Sequence, residues 1–217
     1  EGEGARGRVV EKNLPRSPLA MFQVVEYLRA FLAARTGWSA VNGLLIISGA
    51  FGLFRKDAVI AADGFNTDTM GEDMELVVRI HRTMRELGRE YRIVYVPDPV
   101  CWTEAPESVN NLRGQRRRWQ QGTLETLWAH RRMLFNPRYR AAGLLSMPSM
   151  LIFEVIGPII ELGGYAVSIV AALTGVISVG TFLAFLALAF LYGMVLSLGA
   201  VELSPDVVDE TLGVVLK

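Results

Sequence analysis

Residues 162–201 read LGGYAVSIVAALTGVISVGTFLAFLALAFLYGMVLSLGAV, 40 residues in succession without a charge. A bilayer core takes roughly 20 apolar residues per helical span, so this run is too long for one span and about right for two. Turn-formers enter it from Thr174-Gly175 to Gly180, which predicts one helix over about 149–173 and another over about 179–200. The alternative, a pair of buried helices in a soluble core, is disfavoured by the length of the uncharged run. Between Ala141 and Leu162 the only charges are Glu154 and Glu161, seven apart on one helical face with Pro158 between them. Carboxylates at membrane depth face a partner helix or a wet cavity. Two readings stand for this pair, the lining of a path or lipid site and a packing contact near the interface.

Working outward, Arg131, Arg132, Arg138 and Arg140 precede the first span, with Arg113, Arg116, Arg117 and Arg118 before them. Basic residues stay on the cytoplasmic side. Residues 1–140 are therefore expected in the cytoplasm, with residues 141–217 forming a transmembrane hairpin and tail in the plasma or inner membrane. The formal net charge of zero is a cancellation. Residues 1–140 hold 21 Lys/Arg against 16 Asp/Glu, a balance of +5, and residues 141–217 hold one Lys against six Asp/Glu, a balance of −5. At 51% hydrophobic residues the chain is not disordered, and its single cysteine excludes an intramolecular disulfide framework. The 217 residues permit one or two domains. The chain opens on Glu rather than Met and shows no signal-peptide pattern, which predicts processing or a piece of a longer protein. No internal repeat appears.

Residues 1–16 read as irregular. Ser17-Pro18 starts a helix, with Ser as N-cap and Pro at the first position, and apolar residues at helical spacing carry it to about Ala34. Leu44 to Ser48 reads as a buried strand, Arg55 to Ala62 as a short helix, and Thr67 to Gly71 as a loop. From Glu72, the residues Leu76, Val77, Ile80, Met84 and Leu87 mark an amphipathic helix closed by Gly88. Tyr91 to Val96 reads as a strand, and after Pro106 a long helix runs towards Arg132. The pattern predicts an α/β layer over residues 1–105, feeding a basic amphipathic interface helix over residues 106–140. His81 and His130 read as surface residues and Cys101 as a small buried hydrophobe, and the eight Met residues form no cluster.

Two constellations could carry chemistry. Gly71-Glu72-Asp73 opens a helix, where acidic residues compensate the dipole. Equally, a carboxylate at a loop-to-helix junction can take a proton from a bound hydroxyl group. Gln115-Arg116-Arg117-Arg118-Trp119 reads either as a solvated or lipid-facing charge run or as a recognition site. In a recognition site, Arg grips a diphosphate through its planar fork, Gln hydrogen-bonds a polar substrate and an indole face stacks on a sugar.

These pieces, in order, are Ser48-Gly49-Ala50, Gly64-Phe65, Gly71-Glu72-Asp73, Trp102-Thr103-Glu104-Ala105-Pro106 and Gln115-x-x-Arg118-Trp119, followed by a membrane pair. Over roughly residues 40–200 they resemble the C-terminal half of a membrane-bound family 2 glycosyltransferase, the group of the cellulose, hyaluronan, chitin and poly-N-acetylglucosamine synthases. The resemblance implies a GT-A-like α/β domain and an inverting hexosyltransferase that moves a sugar from a nucleotide donor, UDP-linked, to a growing polysaccharide. It implies Asp73 as general base with Glu72 as its structural neighbour, and Gln115 and Arg118 on the diphosphate or acceptor end. It implies Trp119 as floor for the acceptor sugar and Ser48, Gly49, Ala50 and Phe51 lining the acceptor site. Glu104 is implied to support the Gln-x-x-Arg-Trp helix. Mg²⁺ or Mn²⁺ would neutralise the leaving diphosphate.

The family's metal-binding Asp-x-Asp occurs nowhere in the 217 residues, so the metal ligands are expected upstream, and the chain alone is expected to be inactive. Gly71 stands where cellulose synthases often carry Thr, which argues against cellulose as product. Two other readings remain at this point, a single transfer to a lipid acceptor and a non-catalytic membrane anchor or assembly subunit. No nucleic-acid partner is expected.

Overall fold

Pro18 is the first residue of α1, which spans Pro18–Tyr27. The computed structural model describes residues 17–27, 34–47, 49, 51–96 and 105–202. Ser48, Ala50, Cys101, Trp102, Thr103 and Glu104 lie outside the described residues, as do 1–16, 28–33 and 203–217. Among the described residues six further helices longer than a 3-10 turn follow: α2 Arg35–Ala40, α3 Lys56–Ala61, α4 Glu72–Glu86, α5 Val109–Ala129, α6 Ala142–Leu173 and α7 Val179–Glu202.

The two expected strands are not formed among the described residues, where Phe51 carries only an isolated bridge. Side chains occupy the peptide groups that a neighbouring strand would need. Asn42 donates through Nδ2 to the Tyr91 carbonyl at 3.1 Å and accepts the Ile93 N–H on Oδ1 at 2.9 Å. Ser39 Oγ accepts the Tyr95 N–H at 2.9 Å. Peptide groups at 91, 93 and 95 thus bond to polar side chains and not to a ladder. The described part is helical, and the α/β character expected of it is not seen there.

α4 is the centre of the molecule rather than a helix with one wet face. Met74, Glu75, Leu76, Val77 and Val78 are all buried in succession. One flank of the helix packs Met74 and Val78 into a core with Leu45, Leu127, Tyr139 and the first turns of α6. The other packs Leu76, Ile80 and Met84 against Ala62, Phe54 and Ile93. The methionines, scattered in sequence, do converge: Met74, Met133, Met147 and Met150 share the first core. An unbranched thioether fills the uneven gaps where helices meet at several angles.

Both histidines are buried, against the sequence expectation. His81 is 0% exposed. Its Nε2 lies 2.9 Å from the Leu44 carbonyl, which only accepts, so Nε2 carries the proton and donates. Nδ1 then accepts from the Tyr91 hydroxyl at 2.7 Å. Burial holds the His81 pKa down to about 4, from an ordinary 6.5. The unfolded chain binds the extra proton between those values, so the neutral imidazole's contribution is complete above pH 6.5 and is lost as pH falls towards 4. That loss is on the order of 3 kcal/mol. His81→Gln keeps a donor for the Leu44 carbonyl but cannot titrate. Thermal melts across this window should therefore fall less steeply for the variant than for the parent, and parallel slopes would refute the assignment.

α6 begins at Ala142, before the expected start near 149, because Ala142, Met147 and Met150 are claimed by the first core. From Ile152 onward the helix emerges. Ala142–Leu173, 32 residues long, is long and apolar enough to cross a membrane. Residues 152–173, at about 1.5 Å per residue, cover roughly 33 Å. The chain turns at Gly175, where the expected break lies, and enters α7, whose apolar part Val179–Val195 is shorter. The side chains of Glu154 and Glu161 are exposed on α6, and Glu161 accepts from the Tyr165 hydroxyl at 2.8 Å.

Candidate functional site

Asp73 is the second residue of α4, and its Oδ1 accepts the Met74 N–H at 2.7 Å. Its Oδ2 faces Gly49: a Cβ built there would stand 2.9 Å from that oxygen. A side chain at position 49 would press on the carboxylate, and glycine lets the backbone at that position approach it closely. The structure thus brings Gly49 against Asp73. Phe51 is 54% exposed nearby in the chain. Burial, above all, pushes the Asp73 carboxyl up from its ordinary value, against the Met74 N–H, while the charge of Glu72 adds to the rise and that of Arg35 opposes it.

Arg35 was missed by sequence reasoning. It sits on α2 at 8% exposure, its pKa pushed down by burial and drawn up by Tyr95 and Asp73. A lone arginine after an apolar helix carries no signal of burial.

Gln115, Arg118, Trp119 and Gly122 recur at spacings of 3, 4 and 7, which puts them on one face of α5. The last of them fixes how that face meets Asp73. A Cβ on Gly122 would lie 2.8 Å from the Gly71 Cα and N, and one on Gly71 would lie 3.0 Å from the Gly122 Cα. Two bare backbones touch, so the loop that leads into Asp73 lies directly on the helix that carries Gln115 and Trp119. Gly122 extends the Gln-x-x-Arg-Trp motif by one turn of the same face, a signal present in the sequence but not used.

At the N-terminal end of α5, Gln115 Oε1 accepts from the Tyr27 hydroxyl at 3.4 Å. The Tyr27 and Trp119 rings are 6.3 Å apart and tilted by 44°. Arg116 sits 4.8 Å over the Trp119 ring and pairs with Glu26. One part of the indole is covered in this way, yet Trp119 remains 45% exposed. Arg118 and Glu72 are exposed.

Two residues beyond Asp73, the buried Glu75 ties α4 to the far end of α5. His130 is 3% exposed and brings Nε2 to 2.9 Å from Glu75 Oε1. Arg82 donates to His130 Nδ1 at 3.2 Å, so Nε2 carries the proton given to Glu75. Arg79 pairs with Glu75 Oε2 at 2.8 Å. Burial raises the Glu75 carboxyl, but the His130 hydrogen bond and the Arg79 charge outweigh it and hold it below its usual range. His130 read as a surface residue because it lies in an arginine run, but it caps the C-terminus of α5 and turns inward there.

Among the described residues no three His, Cys, Asp or Glu side chains come together to hold a metal ion. The described residues do not fit one.

A family model described as Glycosyl transferase family group 2 matches residues 13–198. The poly-beta-1,6-N-acetyl-D-glucosamine synthase of Staphylococcus aureus strain COL is 34% identical over 111 residues, covering 51% of this chain and 26% of that protein. The synthase of the same name from Staphylococcus epidermidis is 32% identical over 111 residues, with the same coverage. The match thus spans about a quarter of these relatives' length. No solved structure matches the chain.

Proposed function

Because the chain belongs to glycosyl transferase family group 2, we propose that it forms the base-carrying and acceptor-holding part of a membrane-bound polysaccharide synthase. The donor is a nucleotide sugar, UDP-linked, and the product a growing polysaccharide, with N-acetylglucosamine as the sugar that the named relatives suggest. The family match favours a GT-A-like domain completed by residues outside this chain, which would also carry the ligands for Mg²⁺ or Mn²⁺.

The observation that carries this reading is the raised-pKa carboxylate of Asp73, lodged under Gly49 and docked on the Gln115–Trp119 face through Gly71 and Gly122. A carboxylate in that state accepts a proton more readily than a solvated one. Asp73 takes the proton of the acceptor hydroxyl as that oxygen attacks the anomeric carbon. The bond from that carbon to the nucleoside diphosphate breaks on the opposite side, so the configuration inverts. Arg118, exposed beside the site, suits the diphosphate by charge and shape, and Gln115 suits a polar group of either substrate.

The exposed indole of Trp119 offers the acceptor sugar a flat apolar platform. Trp119→Ala in the intact enzyme should raise the acceptor KM about fivefold and leave the donor KM within about twofold, since stacking on an aromatic face contributes on the order of 1 kcal/mol. Equal effects on both constants would remove the platform role.

The same surfaces support a placement at the membrane. The α5 face opposite Gly122 presents Arg113, Arg117, Leu124 and Trp128, and Trp128 is 72% exposed with Arg131, just beyond the helix, 4.9 Å over its ring. Gln120 on that side donates to the Glu154 carbonyl of α6 at 3.0 Å, joining α5 to the emerging helix. We read α5 as lying on the cytoplasmic leaflet with α6 and α7 spanning the plasma or inner membrane and residues 1–140 on the cytoplasmic side. Membranes bearing the intact enzyme should build labelled polymer from UDP-N-acetylglucosamine. A single transfer to lipid without polymer would replace this reading.

A further inference from the structure

Glu125 lies two turns beyond Gln-x-x-Arg-Trp on α5, and none of its bonds goes to a substrate-facing group. Its Oε2 accepts from the Thr69 hydroxyl at 2.8 Å and from the Met70 N–H at 2.9 Å. Its Oε1 accepts from Gln121 Nε2 at 2.8 Å. Thr69 Oγ1 in turn accepts the Gly71 N–H at 3.3 Å. A side chain of the recognition helix therefore holds two consecutive residues of the loop that delivers Asp73, and through the Thr69 hydroxyl a third, over a separation of 55 residues to Met70. The Met70 N–H, with Gln121 and Thr69, keeps the Glu125 carboxyl below its ordinary pKa, so it stays ionised at neutral pH.

We propose that Glu125 is a positioning residue that sets the register of Asp73 against the acceptor face of α5. The Gly71–Gly122 contact lets the loop approach the helix, but two bare backbones resist sliding only weakly. The Glu125 carboxylate supplies the direction that contact lacks, because charge-assisted bonds to a main-chain N–H and a hydroxyl are short and directional. A base displaced by about 1 Å from its proton loses much of its rate without changing how the donor binds. This inference rests on Asp73 being the base.

In the intact enzyme, Glu125→Ala should lower kcat about thirtyfold with the donor KM within twofold and the melting temperature little changed. Glu125→Gln, which retains one oxygen acceptor for Met70, should recover part of that loss. Thr69→Val should lower kcat about threefold, and adding it to Glu125→Ala should cost nothing further, because the hydroxyl acts through the carboxylate. If Glu125→Ala does not accumulate, Thr69→Val alone decides, and an unchanged kcat there overturns the proposal. Full activity in Glu125→Ala beside an inactive Asp73→Asn refutes the positioning role and leaves the base reading intact. Turnover retained in Asp73→Asn refutes the base reading instead.

Discussion

Asp73→Asn in the intact enzyme should lower sugar transfer by roughly 10²–10⁴-fold, the usual contribution of a positioned general base, with donor affinity within about twofold. The substitution is close to isosteric, and the amide oxygen can still accept the Met74 N–H, so α4 should start as it does now. What disappears is the proton acceptor. Retained turnover in the variant would end the assignment. The pH profile offers a second check. Only the ionised carboxylate can accept a proton, so activity should rise with pH through the Asp73 pKa, on an acid limb above the ordinary value of 3.8. The neighbouring charge of Glu72 contributes to that rise, so Glu72→Gln should move the limb to lower pH. An unmoved limb would mean that another group controls it.

The second large effect is steric. Gly122→Ala places a methyl group 2.8 Å from the Gly71 Cα and N, where only backbone can yield. Overpacking of this kind costs about 1–3 kcal/mol. Here the strain is relieved by pushing the Asp73 loop away from the Gln115–Trp119 face, so turnover should fall at least tenfold while the melting temperature drops by a few degrees. Gly163→Ala on α6, where a Cβ meets nothing within 4 Å, is the control and should leave turnover unchanged. Comparable turnover in the two variants would show that the close approach of loop and helix is dispensable.

These two residues mark how far the sequence could be read. Asp73 announced itself, since an acidic pair opening a helix, followed at a distance by Gln-x-x-Arg-Trp, is a pattern written in one dimension. Gly122 did not, because a glycine inside a helix shows its purpose only when the backbone it touches is known. The helices α3, α4, α5, α6 and α7 were legible for a related reason. Apolar periodicity, a proline start and long uncharged runs are local signals. The segments 44–48 and 91–96 show where local signals mislead. Isoleucine and valine runs read as strands, but pairing depends on which peptide groups meet, and Asn42 and Ser39 took those of residues 91, 93 and 95.

The titrating side chains divide in the same way. His81 and His130 read as surface residues because their neighbours in sequence are charged, yet Tyr91, the Leu44 carbonyl and Glu75 reach them from 10, 37 and 55 residues away. The burial of Arg35 and the loop contacts of Glu125 were invisible for the same cause. By itself the sequence determined helices α3 to α7, the long uncharged run, the charge asymmetry and the residue types of the candidate site, because each is a property of neighbours along the chain. Only the tertiary structure decided which polar groups are buried, which methionines share a core and how Asp73 meets α5. Those depend on contacts between residues far apart in sequence, where a few ångströms of backbone approach determine whether a carboxylate is solvated or buried.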